Sequence, residues 1–370
     1  MTSLASAEFA YASLIEVALP PKKRPASKLG GARPQNIQEL AKIAGVSTAT
    51  VSRALSGAGH LSAATRERIQ KLAADLQFKP SSTARNLRMG RTGAIGVVVP
   101  LGHERTQHLS DPFFMTLISH VADRLADHGY DVLLSRVVPS DVEWLDRIAQ
   151  SGRVDGIIVI GQSDQALVLD QIARVYAPMV VWGAQIEGHA YRTVGCDNRL
   201  GGQIATEHLL AQGCRKLAFF GDPTVPEVEE RLRGFRETLK GAGEGVVGAL
   251  LPVHFVPDMA LATISDYLGI ADRVDGIFAA SDTIAMMTIQ ALADHGRSVP
   301  ADVKVVGFDD LEIARHTLPP LTSIRQDLGK GADALVETLF ALMRGDAAES
   351  VLLTPTLTPR ASTAADIALA

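Results

Sequence analysis

Between Thr92 and about Arg360 the chain alternates strand-like apolar runs with helical patterns, and no other feature constrains its fold as tightly. The runs are AIGVVVP from 94, YDVLLSRV from 130, VDGIIVIG from 154, PMVVWGA from 178, TVGCD from 193, KLAFFG from 216, HFVP from 254, GIFAAS from 276 and VKVVGFDD from 303. Helical patterns fall between them at Phe113 to His128, Leu200 to Gln212, Arg231 to Gly241, Thr283 to His295 and Gly329 to Met343. Continuous apolar strands separated by helices predict parallel sheets covered on both faces, and about 270 residues suffice for two such units.

A different pattern precedes them. Asn36 to Ser56 reads NIQELAKIAGVSTATVSRALS, two short amphipathic helices joined by a tight turn. Ile37, Leu40, Ala41 and Ala44 share one face of the first, and Gly45 supplies the positive φ that ends it. Ser47 is placed to cap the second helix, where Val51, Ala54 and Leu55 form the buried stripe and Thr48, Ala49, Ser52 and Arg53 point outward. A helix fits the major groove, its first turn reaches base edges, and an arginine can bridge two acceptors of a guanine. An ordinary surface hairpin has the same spacing, but Leu61 to Leu76 adds a third helix, with Ser62 as its cap and Ile69, Leu72, Ala73 and Leu76 inward. Three helices close a small core.

After Phe78-Lys79-Pro80 comes SSTARNLRMGRTGAIGVVVP. With VSTATVSRAL, the Thr65-Arg66 helix start, Pro80 followed by Ala84 and Leu87, and IGVVVP, the chain resembles the LacI/GalR family of bacterial transcription regulators from about residue 35 to 363. The resemblance implies an all-α helix-turn-helix headpiece plus an α/β periplasmic-binding-protein-like core of two doubly wound parallel-sheet subdomains. It divides the chain into an N-terminal arm (1–34), the headpiece (35–80), a hinge (81–91), a core of two interleaved subdomains (92–363) and a tail (364–370). The family's hinge turns helical only on DNA, where paired hinge helices enter the minor groove. Here it falls on Ser81 to Met89, with Leu87 as the wedge between base steps and Arg85 and Arg88 beside phosphates. Where the family often has Asn, this chain has Ser81, and packing against the following domain is an alternative role for Leu87. The expected DNA-binding set is therefore Ser47, Thr48, Ala49, Thr50, Ser52, Arg53, Arg85, Leu87 and Arg88.

In the core, the resemblance places an effector in a cleft at strand ends. Carried over by position, the lining residues are Phe113, Phe114, Trp182, Asp197, Arg231, Phe255, Ser281, Asp282 and Asp309. Aspartates accept from paired hydroxyls, an arginine fork donates, and an aromatic face covers a sugar ring, so a carbohydrate is the expected effector, with a purine acting as co-repressor as the alternative. Several of these residues admit structural roles as well. Trp182 can be core, at least one of Phe113 and Phe114 belongs to the core, Arg231 can pair with Glu229 or Glu230 at a helix start, and Asp309 can cap a turn. Part of the family carries an aspartate where this chain has Gly183.

Charge follows the same division. Residues 1–92 hold 14 Lys and Arg against 5 Asp and Glu, a net of +9, whereas residues 93–370 hold 22 against 36, a net of −14. One end is suited to phosphates and the other is not. The first 34 residues lack a signal-peptide pattern, which points to a cytoplasmic chain. They read either as a flexible arm whose Lys22, Lys23, Arg24, Lys28 and Arg33 add unspecific DNA affinity, or as residues upstream of a later translation start. No apolar run reaches the 18 residues of a membrane span.

The two cysteines, Cys196 and Cys214, suggest packing in a reducing compartment, and neither a metal site nor a cofactor is expected. No GxSxG, HExxH or P-loop occurs, so enzymatic activity is not expected, and DNRLGG at 197 lacks the GxGxxG spacing. A periplasmic sugar binder shares the body's fold but would carry a signal peptide and no basic helix-turn-helix. The expected partners are a pseudo-palindromic DNA operator, a small-molecule effector and a second copy of the chain. ASTAADIALA after Arg360 is too short for a tetramerising heptad tail, so a homodimer is expected.

Overall fold

The computed structural model describes residues 33–57, 60–79, 90–102, 105–270 and 274–364, in two compact units, 1–81 and 82–370. The expected hinge contacts Arg85, Leu87 and Arg88 and nearly all of the arm lie outside the described residues.

In the first unit, α1 spans Ile37–Ala44, α2 Thr48–Ser56 and α3 Ala63–Asp75. Each start is capped by the side chain the sequence puts there. Asn36 accepts from the Glu39 amide while the Glu39 carboxylate accepts from the Asn36 side chain and the Gln35 amide, a reciprocal cap. Ser47 accepts from Thr50 N at 3.1 Å and Ser62 from Thr65 N at 3.3 Å. Gly45 ends α1 at φ 67°, a left-handed conformation that a Cβ would strain. Leu40, Ala41, Val51, Ala54, Ile69, Ala73 and Phe78 close the core. Arg68 and Gln70 donate to the Ala44 and Ala54 carbonyls, so α3 ties down the C-terminal turns of both preceding helices.

The second unit holds two six-stranded sheets. The first lobe contains β1 (Ala94–Pro100), β2 (Asp131–Val137), β3 (Gly156–Ile160), β4 (Met179–Trp182), β5 (Arg192–Cys196) and β11 (Val351–Leu353). Its strand order is β11-β5-β4-β3-β1-β2, with every pairing parallel. The second lobe contains β6 (Lys216–Phe220), β7 (Val247–Leu251), β8 (Gly276–Ala279), β9 (Lys304–Asp309), β10 (Thr322–Arg325) and β12 (Thr356–Thr358). Its order, β12-β10-β9-β8-β6-β7, repeats the first, except that β12 runs antiparallel to β10.

Side chains alternate across each strand, so both faces need cover. In β3, Ile158 and Ile160 pack with α4 (Pro112–Asp127) and α11 (Leu328–Arg344), while Ile157 and Val159 pack with α5 (Trp144–Ala149) and α6 (Ala166–Ala173). In the second lobe α7 (Asn198–Ala211), α8 (Pro226–Gly241), α9 (Pro257–Ile270) and α10 (Asp282–Asp294) bury Phe219, Phe235, Phe278 and Phe308 in one core. The chain passes between lobes three times: at Asp197, between β5 and α7; at Gln326-Asp327, between β10 and α11; and between β11 and β12.

Three expectations are corrected. HFVP is a loop that leads into α9, and the strand on this part of the chain is β7, at 247–251. The helix expected to start at Arg231 starts at Pro226, so Arg231 lies in its second turn and its side chain is buried rather than paired at a helix start. The short strands β10, β11 and β12 have no counterpart among the expected runs. Cys196 and Cys214 are both buried and unbridged, and burial pushes their thiols up to about 12 and about 11.

Candidate DNA-reading face and ligand cleft

On α2 the outward residues are Thr48, Ala49 and Arg53, with Ser52 half-buried at the edge. Ser47 and Thr50 belong to the cap: their hydroxyls bond each other at 2.8 Å in addition to the Thr50 N contact. The outward face of α2 is therefore made of small side chains and one long cation, Arg53. An α-helix entering the major groove needs that shape, because its backbone has to come close to the bases.

In the body, a cleft opens between the lobes at the C-terminal ends of the strands, with a volume of about 690 Å³, open solvent at its mouth included. The first lobe lines it with Leu101 after β1, Phe113 and Phe114 at the start of α4, Ser163 after β3 and Trp182 at the end of β4. The second lobe contributes Glu227 and Arg231 from α8, Phe255 from the loop before α9, Ser281 after β8 and Asp309 at the end of β9. In both sheets the first strand is flanked by the second and third, and that reversal of strand order opens the crevice where α/β sheets bind ligands. Phe113 meets Phe114 edge-on at 5.6 Å and Trp182 at 6.4 Å, which makes a continuous aromatic wall.

Residues 36–81 match the family described as "Bacterial regulatory proteins, lacI family", and residues 206–363 match the "Periplasmic binding protein-like domain". The ribose operon repressor of Halalkalibacterium halodurans is 32% identical over 300 residues, 79% of this chain and 86% of that protein. The HTH-type transcriptional regulator CelR of Thermobifida fusca is 30% identical over 328 residues, 87% of this chain and 95% of its own. The crystal structure of the lac repressor dimer bound to operator and the anti-inducer ONPF superposes with a TM-score of 0.78 at 26% identity, covering 89% of this chain and 99% of that one. The chain belongs to the lacI family of bacterial regulatory proteins. It is a DNA-binding transcription regulator with the family's helix-turn-helix and two-lobed α/β body.

Within this lacI-family body, Arg231 is the most constrained cleft residue. It is 6% exposed, its guanidinium lies 3.7 Å over the Phe308 ring, Nε donates to Asn198 Oδ1 at 2.8 Å and Nη1 donates to the Ala280 carbonyl. Desolvation pulls its pKa down, against the charges of Asp309, Cys196, Glu227 and Asp282. Asp309, at φ 114°, sits in a backbone region that non-glycine residues rarely occupy, and Gln326 Nε2 donates to its Oδ1. Burial pushes the Asp309 carboxyl up to about 7, although Arg231 and Gln326 favour its charged form. Trp182 is both packed into the core and part of the cleft lining. It is 3% exposed and packs so closely on α11 that a Cβ at Gly331 would lie 2.3 Å from its ring, yet the ring also faces the cleft.

Two expected lining residues lie elsewhere. Asp282 is fully buried at the start of α10, where its carboxylate accepts from Ser323 Oγ at 2.6 Å and Leu311 N at 2.8 Å and so joins β10 to the segment after β9. Asp197 caps α7 by accepting from Leu200 N at 2.9 Å. Asp197 thus satisfies an amide of the α7 start, whereas Asp282 satisfies the Leu311 amide and the Ser323 hydroxyl, and Ser281 caps α10 by accepting from Ile284 N. At Gly183 the Gln162 side chain fills the space a Cβ would need, 2.7 Å away, and bonds Ala184 N and O and the Tyr191 hydroxyl.

Gln107, Asp111, Ser163 and Glu227 line the cleft without having been expected there. For Glu227 the usable signal was its spacing of four from Arg231 on one helix face. Among the described residues, no helix is long and apolar enough to cross a membrane, and no group of three or more His, Cys, Asp or Glu is arranged to hold a metal.

Proposed function

We propose that this regulator is a ligand-controlled repressor that works as a cytoplasmic homodimer and without catalysis. Two headpieces read the halves of a pseudo-palindromic operator through Thr48, Ala49, Ser52 and Arg53. Two hinges, with Leu87 as wedge and Arg85 and Arg88 on phosphates, enter the minor groove between them. The effector, a sugar or sugar derivative, binds in the body's cleft against Arg231, Asp309, Ser281, Phe113, Trp182 and Phe255. The observation that carries this reading is the cleft itself: aromatic faces on one wall and a buried arginine with a carboxyl on the other, the pair of chemistries that a pyranose ring with hydroxyls requires. The relatives named for ribose and in complex with operator support it.

A ligand that touches both walls favours one angle between the lobes. An isolated hinge helix of about nine residues is marginal in water, so a small change at its base suffices to shift its population. Gel-shift titration of the full chain on a palindromic library checks the output. Selection of one palindrome over random DNA, with steep salt dependence, is expected, and binding that ignores sequence would overturn the reading. A thermal-shift screen against sugars, sugar acids and purines checks the input, since a cleft ligand stabilises the folded chain by mass action.

A further inference from the structure

We infer that Gln107 and Glu227 form a two-sided acceptor pair which admits an uncharged, hydroxyl-rich ligand and turns away its carboxylated or phosphorylated counterparts; this rests on the reading that the cleft holds the effector. Gln107 Oε1 and Glu227 Oε2 are buried atoms of the cleft lining, and neither accepts a hydrogen bond of ordinary geometry from any described residue. The two residues line the cleft from opposite walls, Gln107 from the segment before α4 and Glu227 from the first turn of α8.

Gln107 is only 5% exposed, and its orientation is determined by its neighbour. Nε2 donates to Asp111 Oδ2 at 3.3 Å, and an ionised carboxylate can only accept, so the amide nitrogen turns to Asp111 and the oxygen is left without a donor among the described residues. Asp111 is itself held by Phe113 N at 2.9 Å as the cap of α4. Glu227 is four residues before Arg231, and the Arg231 charge and the amides of Gln162 and Ala184 across the cleft favour its charged form, but burial outweighs them and raises its pKa.

A buried acceptor without a donor costs free energy, and a ligand that brings a donor recovers it. The two open acceptors on opposite walls therefore ask for two donors on one molecule, which hydroxyls supply. Anions fare badly for two reasons. They bring further acceptors, and they meet Asp111, Glu227 and Asp309 against a single cation whose Nε and Nη1 are already engaged. The ring faces of Phe113, Trp182 and Phe255 add nothing for them, since an aromatic face carries negative potential. Cations are disfavoured by the buried Arg231 on the same wall as Glu227.

The experiment is calorimetry and thermal shift on the full chain with glucose, galactose, xylose, ribose and cellobiose, each beside its uronate, phosphate or amino counterpart where one exists. At least one neutral sugar is expected to bind, with its charged counterparts weaker by about tenfold or more. Glu227→Gln should narrow the gap between the neutral sugar and its uronate to about threefold, and Gln107→Leu should weaken the neutral sugar by about tenfold. Melting of each variant without sugar checks its fold, and Gln107→Met serves where the leucine variant does not fold. A charged counterpart that matches or exceeds its neutral parent, a panel in which no neutral sugar binds, or a Glu227→Gln variant with unchanged discrimination would overturn the assignment. If the expected preference appears but operator affinity does not respond to the sugar, the acceptor pair stands and the repressor reading fails.

Discussion

The two lobes of the body repeat one strand order, yet they bring different chemistry to the gap between them. At equivalent strand ends the first lobe places Leu101, Ile160 and Trp182, whereas the second places Ser281 and Asp309, with Arg231 from α8 beside them. Topology determines where a side chain meets the cleft, and the residue at the strand end determines what the cleft can hold. A wall of rings supplies shape and area at small cost in ordering, and a wall of polar groups supplies direction.

Trp182→Ala tests the ring wall most severely. Loss of a buried indole should cost about 3–5 kcal/mol in urea unfolding and abolish sugar binding. A folded variant that bound sugar as before would make Trp182 core only and remove the contrast. On the opposite wall, Arg231→Ala should cost about 2–4 kcal/mol, because Asn198 Oδ1 and the Ala280 carbonyl lose a charged donor, and it should eliminate the ligand response while operator binding survives. An unchanged calorimetric titration would exclude Arg231 from ligand binding.

Asp282→Asn separates support from contact. Stability should fall by about 1–3 kcal/mol as the acceptors for Leu311 N and Ser323 are weakened, with ligand affinity held within about twofold. A collapse of affinity in a well-folded variant would return Asp282 to the cleft lining.

The polar wall should also respond to pH. Asp309 has its folded pKa raised above the unfolded value of 3.8 to about 7, so the folded chain holds a proton that the unfolded chain has lost. The contribution of Asp309 to stability is then fully present near and below pH 4 and declines as pH rises toward 7, with a slope of at most about 1.4 kcal/mol per pH unit. Asp282, Glu227 and Asp111 are raised as well and add in the same direction. Urea midpoints across that range measure the trend, and Asp309→Asn should flatten it; a wild-type midpoint that rises with pH would contradict the burial of this wall.

The alternation of apolar runs and helices was enough to read the parallel sheets, because strands buried on both faces are apolar throughout. The strands that escaped reading are edges or short pieces. The outer strand β7 begins with Val247-Gly248-Ala249, all exposed, and β12 is Thr-Leu-Thr. HFVP looked like a strand because it carries the apolar pair Phe255-Val256, although its backbone turns directly into α9. In the site, residues at strand ends were legible, since any strand followed by a helix brings them to the crevice. Asp282 was misplaced because adjacent residues at a helix start point in different directions, so Ser281 reaches the cleft while Asp282 turns back to Ser323 and Leu311. Glu227 was passed over because PEVEER reads as a solvated helix start; only the meeting of the two lobes buries it.

The three passages between lobes also bear on how this molecule can be dissected. The last strand of the first lobe, β11, arrives after all but the final strand of the second lobe has been synthesised, and β12 then returns to complete the second sheet. A ribosome nearing the end of the message therefore still holds two unfinished sheets, and a gene cut anywhere between β6 and β11 yields neither lobe whole. Recombination can exchange the headpiece for another operator preference as one cassette, whereas the sensor has to be inherited entire.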